Sequence, residues 1–201
     1  MNYLAHSFLS RHSPEAILGA LLGDFVKGTL DENLPRAVRE AILLHRAIDR
    51  YTDAHPIPLA SRLLVSPARR RFAPILVDVF YDHFLACHWD DFCDMPLPQF
   101  AEYVYDVLHQ HSELLPTRLQ RAAPYMARDD WFSAYAGLDG IDAAVNGIAR
   151  RMQRFPRAAA LRGGGDELRQ NYEAFEHDFR LFFPQLLHHV IELRGIERVV
   201  A

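Results

Sequence analysis

Histidine, aspartate and arginine side chains interrupt the apolar stripe of one predicted helix. His45 and Asp49 are four residues apart and therefore share one face of the helix, and Thr52 and Asp53 extend that row by another turn. Arg46 lies about a quarter of a turn away, where its guanidinium could bind a phosphate or pair with a carboxylate. Charged pairs at this spacing are also common on solvated helix faces, so this helix alone does not define a site.

Two further apolar segments also carry ionisable side chains. Asp78 and Asp82 are four residues apart on a predicted helix that is apolar nearly all round, and His83 follows them. Asp24 is the single acid of an apolar segment nearer the start of the chain, and His6 lies in the apolar stretch before it. Ionised carboxylates in a buried helix are costly unless a cation or an arginine compensates them.

One divalent cation would explain the acids and histidines of all three segments. Its predicted ligands are Asp24, His45, Asp49, Asp78, Asp82 and His83, with His6, Thr52 and Asp53 around them. Mixed carboxylate and imidazole ligands favour Mn²⁺, Fe²⁺ or Zn²⁺ over Ca²⁺, and the two cysteines, Cys87 and Cys93, lack the spacing of a structural zinc site. Such a metal activates water and polarises a phosphoryl oxygen, so the pattern indicates phosphoester hydrolysis.

These side chains depend on helices for their placement, and the sequence predicts an all-α fold, a single-domain helical bundle over residues 1–201. Apolar residues recur at i, i+3 and i+4, whereas alternating strand patterns are scarce. Ser13 and Pro14 mark a helix start, and Pro56 and Pro58 are expected to end the second helix. The predicted helices span residues 14–27, 35–53, 75–89 after a start at Ser66 and Pro67, 98–114, 138–152 and 166–194, with Pro184 kinking or dividing the last.

Composition narrows the classes of function. The 201 residues include 22 Lys and Arg against 26 Asp and Glu, a formal charge of -4, which argues against a surface built for nucleic acid. The apolar runs fall short of the roughly 20 residues that a membrane helix needs, and the chain does not start with a basic region followed by an apolar signal. We therefore expect a soluble, cytoplasmic protein with no membrane or nucleic-acid partner.

Four segments, residues 1–6, 21–28, 45–53 and 78–89, together resemble the acyl carrier protein phosphodiesterase family in their residues, order and spacing. The resemblance implies removal of the 4′-phosphopantetheine arm from the serine of holo acyl carrier protein, which returns the apo protein. It also implies a helical, metal-dependent enzyme that prefers Mn²⁺, with Mg²⁺, Fe²⁺ or Zn²⁺ as other candidates, and that is distantly HD-like, that is, akin to the HD phosphohydrolases. Asp24 matches the essential acidic position of the family.

One motif departs from that pattern. The HD superfamily has an adjacent His-Asp pair, whereas Asp82 and His83 occur in the reverse order. A literal pair does occur at His177 and Asp178, but it lies in a charged stretch that is more typical of a solvated helix face.

The predicted catalytic residues are Asp24, His45, Arg46 and His83. In this hypothesis a water activated by the metal attacks the phosphorus and the serine oxygen of the carrier protein leaves. His83 or His45 protonates that oxygen, and Arg46 binds the remaining charge of the phosphate through two oxygens.

Two arginine-rich segments without acids are candidates for binding an acidic carrier protein. One lies between residues 54 and 77 and includes Arg69, Arg70 and Arg71. The other lies between residues 143 and 165 and includes Arg150 and Arg151. Ordinary solvated faces or affinity for RNA would give the same composition.

Two other functions remain open from the sequence. An HD-like phosphohydrolase of a nucleotide or small phosphoester would use the same cluster of acids and histidines. A non-catalytic helical interaction protein would instead hold the acids in buried salt bridges with Arg46 and Arg50.

Overall fold

A computed structural model describes residues 1–200, with side chains through Gly195, and this part of the chain contains helices and no strands. The all-α prediction is therefore confirmed. Eleven α-helices follow in order: α1 (Tyr3–Leu9), α2 (Pro14–Leu22), α3 (Arg36–Ala54), α4 (Pro56–Leu64), α5 (Ala73–Cys87), α6 (Leu97–Gln110), α7 (Thr117–Arg128), α8 (Trp131–Ala134), α9 (Leu138–Arg151), α10 (Gly165–Gln170) and α11 (Tyr172–Val200). Short 3₁₀ turns lie at Arg70–Phe72, Trp89–Asp91, Ser112–Leu114 and Pro156–Leu161.

Helix α2 begins where the sequence predicts and ends earlier. The Ser13 hydroxyl accepts a hydrogen bond from the Ala16 backbone nitrogen at 3.1 Å, and Pro14 occupies the first turn, where its missing N–H costs nothing. The helix stops at Leu22 instead of continuing to residue 27. Asp24 consequently lies on the turn that follows α2.

Helix α3 ends at Ala54, just before Pro56 and Pro58, so the prediction that these prolines end the second helix is confirmed. A further helix that was not predicted follows at once. Helix α4 begins at Pro56, because prolines in a first turn lack only hydrogen bonds that the turn does not make. The His55 side chain accepts a hydrogen bond from the Ile57 backbone nitrogen at 3.3 Å and caps this new helix. Helix α7 was not predicted.

The segment predicted as one helix over residues 166–194 forms two helices. The division falls at Asn171, between α10 and α11, and not at Pro184, which lies inside α11. Helix α11 packs against α3, α4 and α5. Its buried aromatic rings on the side facing α5 are Phe175, Phe179, Phe182 and Phe183.

Close packing of α2 on α3 fixes the frame around the candidate site. A Cβ atom at Gly19 would lie 2.4 Å from the Val38 carbonyl oxygen and 2.6 Å from the Ala41 Cβ, so only glycine permits this approach. Helix α1 packs on both α2 and α5, and all of its residues after Tyr3 are buried. Within the described helices, none is both long and apolar enough to cross a membrane.

Candidate metal centre

Three side chains from two helices meet in one group. His6 comes from α1, whereas His45 and Asp49 lie one turn apart on α3. The His6 Nε2 atom lies 3.1 Å from Asp49 Oδ1, and the His45 Nε2 atom lies 3.1 Å from Asp49 Oδ2. One nitrogen or oxygen from each residue falls within 4.8 Å of the others, which is the spacing that a shared metal ion needs.

The backbone of α2 orients His45. Its Nδ1 atom lies 2.7 Å from the Ala20 carbonyl oxygen, and because a carbonyl only accepts, Nδ1 carries the proton. With that proton on Nδ1, the Nε2 atom faces the Asp49 carboxylate, which is an acceptor. A contact of 3.1 Å between these atoms requires a second proton on His45 or a cation held by both. Gly23 makes room for the ring, since a Cβ there would lie 2.3 Å from His45 Cγ.

His6 brings a second imidazole to the group. Its ring stacks on His45 with centroids 3.7 Å apart, and only about 1% of the residue is exposed. Burial, followed by repulsion from His45, lowers the pKa of His6 to about 3. The ring is therefore uncharged near neutral pH and its lone pair is available to a metal ion.

Two carboxylates complete this environment. Burial alone would raise the pKa of Asp49, but hydrogen bonds from His45 and His6 hold it below its usual range, so the group is ionised. Asp24 approaches from the turn after α2, with Oδ1 3.8 Å from His45 Nε2 and 44% of its side chain exposed. This group suits a divalent cation with open coordination positions, because it offers two imidazoles, one ionised carboxylate and a second, accessible carboxylate.

The other predicted ligands lie elsewhere. Asp78 accepts a hydrogen bond from the Met1 nitrogen at 2.8 Å, and Asp82 accepts hydrogen bonds from the backbone nitrogens of Asn2, Leu4 and Ala5 at 3.3, 2.8 and 3.2 Å. Asp82 thus caps the start of α1, and burial raises its pKa to about 7. Both acids hold α1 in place and neither joins the group of His6, His45 and Asp49.

His83 is also outside that group. Its Nδ1 atom donates to the Tyr135 carbonyl oxygen at 2.7 Å, and its Nε2 atom lies 3.0 Å from the Tyr172 hydroxyl. The spacing along α5 indicates which side chains share a face of the helix, but it does not indicate which neighbouring helix that face meets. The structure therefore places His83 against α8 and α11, not beside His45.

Arg46 and Asp53, two of the three remaining α3 candidates, have structural partners. Arg46 Nη2 donates to the Val26 carbonyl oxygen at 2.9 Å and ties down the segment after α2. Asp53 is exposed and pairs with Arg62. Thr52 is buried, and its hydroxyl has no hydrogen-bond partner among the described residues.

A cavity of about 620 Å³ opens beside the candidate metal centre. It reaches Asp24 and Asp78 at one side and the α8 and α9 helices at the other. Other lining residues include Asn2, Tyr3, Ile75, Val79, Trp131, Tyr135, Gly140, Ala143, Ala144, Gly147, Arg150 and Arg151.

The two arginine segments differ in their roles. Arg69 donates to the carbonyls of Ala160 and Arg162 and pairs with Glu167, and Arg70 donates to the carbonyls of Val65 and Leu63. These guanidinium groups bind the protein to itself, whereas Arg71 is exposed. Arg150 and Arg151 are exposed and line the mouth of the cavity.

Sequence reasoning placed His6 only among the surrounding residues. Its local pattern is that of a core histidine, and the contact with Asp49 depends on how α1 packs on the other helices. The sequence offered one indication, a histidine in an apolar stretch that precedes the predicted acid cluster. Sequence alone does not show which residues lie next to that histidine in space.

The described structure defines a class: an all-α protein with a histidine and carboxylate centre beside a deep cavity. The family model for acyl carrier protein phosphodiesterase matches residues 1–186. Proteins of that name from Serratia proteamaculans and Yersinia pestis are 38% and 35% identical, each over 93% of this chain and 96% of their own length. The protein of that name from Photorhabdus laumondii is 34% identical over 93% of both chains.

The chain therefore belongs to the acyl carrier protein phosphodiesterase family. The predicted family is confirmed over nearly the whole chain. No solved structure matches the chain, and the relation to the HD phosphohydrolases stays a prediction.

Proposed function

We propose that this chain acts as a single helical domain that hydrolyses the phosphodiester between 4′-phosphopantetheine and the serine of holo acyl carrier protein. The products are apo carrier protein and 4′-phosphopantetheine. The observation that carries the proposal is the group of His6, His45 and Asp49, which lies next to an accessible Asp24 at the edge of a deep cavity. The names of the relatives support the choice of substrate.

His6, His45 and Asp49 are the proposed metal ligands, with Asp24 on the open side. Mn²⁺ is the proposed ion, and imidazole and carboxylate donors suit it. When bound there, a divalent cation would polarise a phosphoryl oxygen and lower the pKa of a water molecule. This set replaces Asp78, Asp82 and His83, whose side chains have the other partners described above.

Asp24 is the proposed catalytic carboxylate. It is exposed at the cavity edge, and its oxygen is the nearest acidic atom to His45 outside the ligand group. From there it can accept a hydrogen bond from the attacking water and take up its proton. Arg151, at the same end of the cavity, is the proposed partner for the charge of the phosphate, because Arg46 is bonded to a backbone carbonyl.

The direct experiment incubates the protein with holo acyl carrier protein and Mn²⁺ and measures the carrier protein by mass spectrometry. We expect loss of the phosphopantetheine mass, and no loss in a chelator. Equally efficient cleavage of a nucleotide or a model diester would contradict the macromolecular substrate.

Asp24→Ala should reduce turnover by at least about a hundredfold, the size of a typical general-base contribution, while leaving the helical circular dichroism signal unchanged. Asp53→Ala is the matched control, because Asp53 is also an exposed aspartate but pairs with Arg62 away from the centre. Undiminished turnover by Asp24→Ala would remove the basis of the proposed mechanism.

A further inference from the structure

The cavity beside the candidate metal centre is elongated along α9. Gly140, Ala144 and Arg151 all line it, and they span most of that helix. The eleven residue steps of α-helix from Gly140 to Arg151 correspond to roughly 16 Å. A cavity of this length and of about 620 Å³ suits a linear ligand better than a compact one.

The α9 wall of the cavity is made of small side chains. Gly140, Ala143, Ala144 and Gly147 recur at spacings of three and four and therefore share one face of the helix. On the opposite wall, Ile75 and Val79 of α5 are apolar. Ala143, Ala144 and Gly147 leave a channel between the two helices that larger side chains would fill. Gly140 instead allows close packing of α9 on α8, since a Cβ there would meet the Ala134 carbonyl oxygen.

The two ends of the cavity differ in charge. A Cβ at Gly147 would lie 3.6 Å from Arg151 Nη1 and 3.7 Å from Arg150 Nη2, so both guanidinium groups fold back over this turn. Tyr3 and Asp24 also line the cavity, and Asp24 lies 3.8 Å from His45 Nε2. At the N-terminal end of α9 the wall is formed by Trp131, Ala134 and Gly140, and Asp129, two residues before Trp131 in the chain, adds an acid to the lining.

We infer that this cavity binds the pantetheine arm in an extended form, with its phosphate at Arg151 and its thiol end towards Trp131. The inference rests on the proposed function, which supplies the arm as the substrate. The arm has one anionic end and a long neutral remainder with methyl and amide groups. Arg150 and Arg151 lie at one end of α9, where they can bind the phosphate, and the apolar and small residues of α5 and α9 offer surface to the remainder. Asn2 and Tyr3 bring an amide and a phenol to the wall, where they can bond the amides of the arm.

Calorimetric titration of the Mn²⁺-loaded protein with free 4′-phosphopantetheine tests the site without turnover. Ala144→Leu should weaken binding by about tenfold or more, because the larger side chain occupies the channel. Ala60→Leu makes the same change on the exposed face of α4 and should leave the affinity unchanged. Ala143→Leu fills the channel from a second position and serves if Ala144→Leu lowers the thermal midpoint.

The direction of the arm has its own test. Arg151→Ala should weaken binding of 4′-phosphopantetheine by about tenfold and leave binding of pantetheine, which has no phosphate, unchanged. Equal losses for both ligands would overturn the assigned direction.

The outcomes separate the two proposals. A wild-type protein that does not bind the free arm, or filled-channel variants that bind it as tightly as the wild type, would overturn the cavity assignment. Binding that is lost in those variants supports it even if the wild type fails to cleave holo carrier protein, a result that would defeat only the proposed function.

Discussion

At the scale of single residues, the centre depends on how two imidazoles meet one carboxylate. A backbone carbonyl holds a proton of His45 on Nδ1, whereas burial keeps His6 uncharged. The Nε2 atoms of both rings lie 3.1 Å from Asp49 oxygens. Each of these contacts needs a proton or a cation between nitrogen and oxygen, so protons and a metal ion compete for the same positions.

The buried, neutral state of His6 predicts how stability depends on pH. The pKa is about 3 in the folded chain against 6.5 in the unfolded one, so the unfolded chain binds an extra proton between these values. The free energy of unfolding of the metal-free protein should fall with acid through this window, by up to about 1.4 kcal/mol per pH unit from this group.

His6→Gln removes that titration, so the free energy of unfolding should depend less on pH between pH 6.5 and 4.5. Chemical denaturation of both proteins in a chelator across that range gives the difference, in which the histidines that do not contact His6 cancel. Parallel curves would show that His6 is not buried as a neutral group.

At the scale of helices, the site depends on how α1, α2 and α3 are held together. Asp82 fixes the start of α1, and the approach at Gly19 fixes α2 on α3. Sequence patterns located most helix starts, because caps and prolines act locally, as at Ser13. They misassigned Asp82 and His83, because spacing along a helix gives a shared face but not the helix that the face meets.

Asp82→Asn should destabilise the fold by about 1–3 kcal/mol, because the amide NH₂ of asparagine would face a backbone N–H from which Asp82 now accepts a hydrogen bond. Since α1 carries His6, the affinity for Mn²⁺ should fall as well. Thermal unfolding with and without Mn²⁺ measures both effects. Mn²⁺ affinity equal to wild type would show that the anchoring of α1 does not support the centre.

Gly19→Ala should destabilise the protein by about 1–3 kcal/mol, because its Cβ would meet the Val38 backbone at 2.4 Å. Gly195→Ala is the control in α11, where a Cβ meets nothing within 4 Å and the better helix propensity of alanine applies. Urea denaturation compares the two variants. A neutral Gly19→Ala would mean that α2 and α3 can separate without cost.

At the scale of the whole molecule, the net charge of -4 conceals an uneven distribution. Of the predicted docking arginines, Arg69 and Arg70 serve internal contacts, and Arg150 and Arg151 stand exposed at the cavity. Composition identified both arginine segments, but only the folded chain distinguishes bonded from available guanidinium groups. An acidic carrier protein docked near α9 would bring its arm directly to the opening.

Reversing the charge of Arg150 and Arg151 to glutamate should slow association with holo carrier protein by at least about tenfold at low salt, with the gap narrowing as salt rises. Arg128→Glu and Arg118→Glu together provide a control with the same change of charge on α7. Stopped-flow association rates at several ionic strengths measure both. Equal slowing by the two double variants would indicate a general effect of net charge without a docking face.

The proposed cation donors all precede residue 50, whereas the small-residue wall of the cavity comes from residues 140–151. Under these assignments, hydrolysis and the choice of substrate depend on distant stretches of the same polypeptide. Substitutions on α9 should therefore change which ligand binds without altering the residues that hold the metal.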